Sequence, residues 1–418
     1  LVTQGIIAQF AEEAAFLRHL RTRAVVAPHF SLDDLVQLDE RIEAHIDGLR
    51  VAGDAGWEMC LKSLDGEAPE DYFAPSVLAV ENGNTGRIQA VLDAIAEDPV
   101  KGRALISALG WLSREQAEPH IRNLLGAESP FHRYIGIAAS AIHRRDPGHL
   151  LDKAVSDDSP LLMARSLRAY GELGRGRELD SCILRGALAD DDDEIRFSAA
   201  WSATLAGNKE AVEVLKSFVL PKSPYKENAL NTALRRMELA AALTWHRHLV
   251  QSPDTIRLAV MGSGIIGDPS LIPWLVEQMN TPSLSRVAGE AFTMITCVDV
   301  EREAMRGLRP EGFNAGPTDD PGDDNVAMNP DDDLPWPKAE AVLHWWGRNK
   351  GAFPSGTRHL LGKPITAVNL RNILRSGRQR QRAAAALELA ILEPDRPLFA
   401  VRAPGLRQME VIRMRDEG

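Results

Sequence analysis

Apolar and polar positions alternate with a helical period over most of the chain. The pattern is explicit from Ser31, which stands where an N-cap would: Asp33 and Asp34 follow, then Leu35, Leu38, Ile42, Ile46 and Leu49 recur every three or four residues. An amphipathic helix is predicted there, punctuated by Gly48, Gly53 and Gly56, and an earlier one is predicted over 6–20. Farther on, the pattern itself repeats. RALISALG from Arg103, RYIGIAAS from Arg133, RFSAAWSA from Arg196, RLAVMGSG from Arg257 and RVAGEAFT from Arg286 each set an arginine before small and apolar residues. The gaps are 30, 63, 61 and 29 residues, and the two long ones divide near Met163 and Lys226. Six or seven units of 29 to 33 residues therefore fill roughly 100–300.

Partner segments such as HIRNLLG and SLIPWLVEQM lie between these helices. Ser129, Ser159, Ser252 and Thr281, each followed by proline, are placed to cap helix starts. Each unit reads as two antiparallel helices. No single pair buries its apolar face alone, and Ala and Gly at the repeated positions let neighbouring helices approach. The fold class expected is all-α, an α-solenoid of helical hairpins with terminal helical caps. Its divisions are a cap over 1–70, the repeats over 71–305, an irregular acidic insertion over 306–337 and a C-terminal helical region with a basic face over 338–418. The insertion is marked by proline, glycine and eight acidic residues with no Lys or Arg between Arg309 and Lys338. Beyond Pro394 the tail reads as proline-broken and partly extended.

The repeat pattern resembles the HEAT-repeat family, most clearly in SPDTIRLAVMGSGIIGDPSLIPWLVEQM. More narrowly, EEAAFLRHLR, LDERIEAHIDGLRVAGDAGW, LPWPKAEAVLHWW and RQRAAAALELA resemble a family of proteobacterial HEAT-repeat proteins, some of them encoded near type VI secretion genes. That resemblance spans nearly the whole chain. It implies a protein-binding accessory role and brings no catalytic residue with it.

At 418 residues the chain is long enough for two or three domains or one extended architecture, and 44% apolar with 26% charged residues is ordinary soluble usage. The net charge of −11 argues against a general nucleic-acid binder, whose affinity comes from neutralising phosphates. The charge is uneven: from Lys338 onward 15 basic residues face 7 acidic ones. Three scattered cysteines, Cys60, Cys182 and Cys297, fit a reducing compartment, and no apolar run approaches a membrane span. Glu12 and Glu13 fall where a signal peptide would be apolar. The expected location is cytoplasmic.

Several motifs come close to known chemistry. Gly262-Ser-Gly264-Ile-Ile-Gly267 has the spacing of a dinucleotide-binding fingerprint, but the next helix start, Asp268-Pro269, comes after the third glycine, so an inter-helix turn is the expected reading. The stretch from Gly356 to Pro364 has one residue too many for a phosphate loop and a proline where magnesium needs a hydroxyl. His246 and His248 point to different faces of a helix. No GxSxG and no local Cys/His pairing supports nucleophilic catalysis. No cofactor, metal or enzyme activity is expected.

Candidate partner-binding residues fall into three groups. Asp190, Asp191, Asp192, Asp193 and Glu194 form an acidic run, solvated or facing a basic partner. Trp336, Trp345 and Trp346 are aromatic residues of the kind enriched at interfaces, although packing of the insertion's end explains them as well. Arg371, Arg375, Arg378 and Arg382 would form one basic stripe if Ser376 and Gly377 did not interrupt the helix, and would meet solvent, the insertion's aspartates or an external acidic partner. The function expected is non-enzymatic protein binding, which the resemblance places in type VI secretion as an immunity protein or effector-loading adaptor. The partner would be a secreted toxin or effector with a basic surface. The alternatives are a HEAT-like enzyme, such as a bilin lyase or DNA glycosylase, and a self-assembling scaffold.

Overall fold

The computed structural model describes residues 4–313, Gly322 and 329–417. The fold is all-α: 69% of the chain is helical, in twenty-two α-helices among the described residues. The chain forms two compact units. The first holds the residues up to Val26, Phe30–Ala206 and the chain from Glu393; the second holds Ala27–His29 and Gly207–Leu392.

The first unit contains α1 (Gln4–Ala24), α2 (Leu32–Ala52), α3 (Asp54–Ser63), α4 (Phe73–Asn82), α5 (Thr85–Ile95), α6 (Pro99–Trp111), α7 (Arg114–Leu125), α8 (Pro130–Ile142), α9 (His149–Ala154), α10 (Pro160–Glu172), α11 (Ser181–Leu188) and α12 (Asp193–Ala206). The second contains α13 (Lys209–Ser217), α14 (Lys226–Arg236), α15 (Leu239–Val250), α16 (Ile256–Ile266), α17 (Ile272–Gln278), α18 (Pro282–Thr296), α19 (Ala339–Asn349), α20 (Ala367–Ser376) and α21 (Gln379–Leu392). A last helix, α22 (Gly405–Glu417), belongs to the first unit.

In the first unit α4, α6, α8, α10 and α12 pack each on the next, while α7, α9 and α11 each lie against the helix that follows. In the second, α14 packs on α16 and α16 on α18, with α13, α15 and α17 against their successors. The five repeat arginines all fall in the first turn or two of helices in these rows: Arg103 in α6, Arg133 in α8, Arg196 in α12, Arg257 in α16 and Arg286 in α18. Met163 and Lys226, the half-way positions, open α10 and α14 in the same way. The rows are close-packed because their facing positions are small. A β-carbon on Gly264 of α16 would stand 3.0 Å from the Ala291 Cα of α18, and one on Gly171 of α10 would stand 2.9 Å from the Ser202 Cα of α12.

Local chemistry sets the helix ends. Ser31 and Asp34 form a reciprocal capping box, satisfying two otherwise orphaned amides at the start of α2. Ser129 and Ser159 cap α8 and α10 through their hydroxyls. The other two expected caps differ: Thr281 makes no side-chain cap bond, and Ser252 precedes α16 by a turn, leaving Thr255 as N-cap.

Three further regions depart from the sequence reading. Gly262 and Gly264 lie inside α16, and only Gly267 forms the turn, as a left-handed C-cap with φ 74°. The glycines thus serve helix packing first and chain reversal second. Residues 359–364 form a short antiparallel hairpin, His359–Leu360 with Lys363–Pro364, turning through Leu361 and Gly362 at φ 51° and 73°. Both turn residues lie in the left-handed region, which glycine adopts freely at 362 and leucine adopts at a steric cost at 361. The C-terminal tail is also more ordered than its prolines imply, since α22 starts directly after Pro404, whose carbonyl accepts the Gln408 amide.

Candidate functional site

The acidic run is local architecture as much as surface. Asp192 accepts the amides of Glu194 and Ile195, so it caps α12, and Asp190 accepts the Asp192 amide at 2.8 Å. Asp193 pairs with Arg196 in the same turn. Carboxylates at a helix N-terminus also complement its dipole. Asp191, Asp192, Asp193 and Glu194 remain exposed, and Asp190 is half-buried.

Gly377 divides the four-arginine stripe. Its extended backbone (φ −77°, ψ 167°) ends α20, so Arg371 and Arg375 lie on α20, Arg378 lies between helices and Arg382 lies on α21. Arg382 is buried, and its Nε donates to the Leu374 carbonyl at 2.7 Å, satisfying an open carbonyl at the end of α20. Burial pulls its pKa down to about 10.

The insertion's far end is anchored on other arginines. Asp331, itself buried, grips Arg257 through two bonds of 2.6 and 2.8 Å. Asp332 meets Arg286 at 3.0 Å, and the Arg286 guanidinium lies 4.7 Å from the Trp336 ring centre. Arg380 pairs with Glu290 at 2.8 Å. Backbone bonds from Gly307 to Trp336 and from Lys338 to Met305 close the stem. Asp319, Asp320, Asp323 and Asp324 lie outside the described residues.

Of the tryptophans, Trp346 is buried and Trp345 half-buried. Adjacent residues on a helix diverge, yet both reach Phe353, at ring distances of 6.1 Å for Trp345 and 5.7 Å for Trp346, because Phe353 follows the helix end and sits between them. Trp345 also meets Phe292 edge-on at 5.6 Å. Trp336 is half-buried, against Phe313.

A concentration of charge that the sequence reading did not single out lies in the first unit, on α10. Arg165 and Arg168 both address Glu172, at 2.6 and 3.5 Å. Arg168 is 32% exposed along its side chain and its guanidinium carbon lies over Trp201 of α12, 3.9 Å from the ring centre. Arg144 donates to the Leu398 carbonyl, and the Leu398 amide donates to the Glu172 carbonyl, so the chain after α21 is stitched to the end of α10. That stitching brings the exposed Arg402 within electrostatic range of Glu172 and Arg168. Burial would raise the Glu172 carboxyl, but Arg165, Arg144 and Arg168 overcome it and hold it down to about 2. The same face continues to Tyr134 of α8, which feels Arg165, Arg103 and Glu194. The signal was present: Arg165, Arg168 and Glu172 at i, i+3 and i+7 share one helix face. Arg144 and Arg402 come from too far along the chain to be placed by spacing.

The nearest approach to a base and nucleophile is His246 Nε2, 2.9 Å from Ser263 Oγ. Both are buried, Ser263 is also bonded to the Ala259 carbonyl, and burial pulls the imidazole down to about 4. Edge-on contact with Trp274 completes a packed polar bridge between α15 and α16. His248 is exposed on the other face. Cys60 is buried, its thiol pushed up to about 12. Among the described residues no three His, Cys, Asp or Glu side chains converge as metal ligands, and no helix is long and apolar enough to cross a membrane. No protein-family model matches this chain, and no curated protein matches it either.

Proposed function

We propose that the chain is a non-enzymatic, protein-binding α-solenoid of HEAT-like hairpins, serving type VI secretion as an immunity protein or effector-loading adaptor. The observation that carries this reading is the row of helices from α4 to α12, each packed on the next in register with the sequence repeat. Such rows bury one side of each pair and leave long outer faces for a partner, so shape and charge are their working chemistry. The exposed acids at Asp191–Glu194 and the net charge of −11 favour a basic partner, through faster encounter and selection against like-charged proteins. The secretion context rests on the family resemblance of the sequence.

Affinity purification of the tagged chain from its native cell at low salt tests the reading. A stoichiometric secreted protein with a basic surface is expected, released as salt rises. If nothing is retained above background, protein binding is refuted. Blocked activity of the retained protein would identify immunity, and unblocked activity would identify loading.

A further inference from the structure

In the first unit, repeat arginines find carboxylates in the turns between helices. Arg133 of α8 meets Asp157, just before α10, at 2.6 Å, and Arg196 of α12 meets Asp193 in its own first turn. In the second unit the turn before α18, Met279 to Thr281, carries no acid. Arg257 and Arg286 take their carboxylates from the insertion instead. Asp331 forks onto Arg257 at 2.6 and 2.8 Å, and Asp332 meets Arg286 at 3.0 Å. One short segment thus serves two guanidiniums on α16 and α18, helices packed one on the other.

That segment is separable from the helices it covers. Its turn is closed by its own bonds, from the Asp331 amide to the Asn329 side chain, from the Asp332 amide to the Asn329 carbonyl and from the Leu334 amide to the Asp331 carbonyl. Its attachment is the stem, where Gly307 donates to the Trp336 carbonyl and Lys338 to that of Met305. Neither set of bonds involves Arg257 or Arg286. Each ion pair keeps one wet partner, Arg257 at 34% exposure and Asp332 at 42%, so water and competing anions reach both. Buried Leu334 adds an apolar contact that a displacing segment must replace. Trp336, which lies 4.7 Å from the Arg286 guanidinium, is held from the stem, so it keeps Arg286 oriented whether or not the aspartates are seated.

We propose that the Arg257 and Arg286 face of the second unit is a docking surface for an acidic segment of a partner protein, masked in the free chain by Asp331 and Asp332 as a tethered competitor. The seated segment defines the chemistry of its replacement: adjacent carboxylates on a short turn, the first placed for a bidentate fork. An apolar or basic segment would cover two guanidiniums without a counter-charge. Tethering holds the resident aspartates at high effective concentration, so a partner displaces them only when it makes further contacts with the chain. This rests on the protein-binding reading and adds the chemistry of one contact: the partner offers an acidic segment here, whatever basic surface it offers to Asp191–Glu194.

The test uses the full chain, its Asp331→Asn, Asp332→Asn double variant and a fluorescein-labelled peptide, Asn-Pro-Asp-Asp-Asp-Leu-Pro-Trp-Pro, the sequence of residues 329–337. Fluorescence anisotropy at low salt is expected to show the double variant binding the peptide at least tenfold more tightly than wild type. Replacing the three aspartates of the peptide by asparagine should abolish that gain. Adding Arg257→Gln to the double variant should weaken binding at least tenfold, whereas adding Lys222→Gln, at an exposed position of the same unit, should not. Arg286→Gln gives a second reading, and circular dichroism checks that each chain melts as the double variant does. The proposal is overturned if the double variant binds no more tightly than wild type, if the asparagine peptide binds equally well, or if Arg257→Gln and Lys222→Gln behave alike. Tighter binding of single-stranded DNA of the same charge would also overturn it, in favour of a nucleic-acid surface. A cellular partner retained equally by the double variant with and without Arg257→Gln would reject this contact while leaving the protein-binding reading standing.

Discussion

Glu388→Ala is the substitution whose cost the structure specifies best. Glu388 on α21 and Arg235 on α14 are each 2% exposed and 2.8 Å apart. Arg358 reaches the same Glu388 oxygen at 2.6 Å. Removing the carboxylate leaves Arg235 with the Asn231 side chain at 3.0 Å as its remaining hydrogen-bond acceptor. Arg358 fares better, because it also donates to the carbonyls of Ile265, Ile266 and Arg235. Most of the cost therefore comes from one buried cation left without its counter-charge, about 3–5 kcal/mol. For a unit of this size each kcal/mol moves the midpoint by about 2–4 °C, so a fall of roughly 6–20 °C is expected in calorimetry. Urea unfolding followed by circular dichroism gives the free energy directly. Arg235→Met with Glu388→Leu removes both charges and should recover most of the loss, to within about 2 kcal/mol of wild type. A loss below about 1 kcal/mol for Glu388→Ala would refute the reasoning, since it would mean that Arg235 finds water or another acceptor.

Three other outcomes follow from the same geometry. His246, with a folded pKa of about 4 against 6.5, favours folding fully above pH 6.5, and that contribution is lost as pH falls from 6.5 to about 4, in total about 3 kcal/mol. His246→Gln should flatten the pH–stability curve across that window. Gly171→Ala gains about 1 kcal/mol of helix propensity but drives a β-carbon to 2.9 Å from the Ser202 Cα and 2.8 Å from the Trp201 ring, so a net loss of about 1–2 kcal/mol is expected in urea titration. Asp331→Asn with Asp332→Asn should weaken the insertion's anchor by about 1 kcal/mol, since Arg257 is partly exposed, and speed proteolysis within 308–335 about fivefold while the helical signal stays constant.

The helix rows were legible because their period is local. Arginines 29–33 residues apart, or twice that, all landed at equivalent starts of α6, α8, α12, α16 and α18. Boundaries were legible where a cap is a single residue, as with Ser31, Ser129 and Ser159. They were not where two signals compete: Gly262 and Gly264 read as a turn, yet close packing, of Gly262 against Leu234 of α14 and of Gly264 against Ala291 of α18, uses the same absence of a side chain. Spacing also suggested that Arg382 belongs to an open stripe, whereas the break at Gly377 turns it inward onto the Leu374 carbonyl. The charge cluster on α10 was only half visible. Its i, i+3, i+7 core lies in the sequence, but the Arg144 side chain and the Glu172 carbonyl are tied together through the Leu398 backbone, which no local pattern encodes.

Native mass spectrometry of the tagged chain, taken at low salt from the cell that makes it, tests the protein-binding account most directly. The account predicts a species heavier than 45.8 kDa by one distinct partner, dissociating as salt is raised. The bare 45.8 kDa chain alone, or integral multiples of that mass, would contradict it.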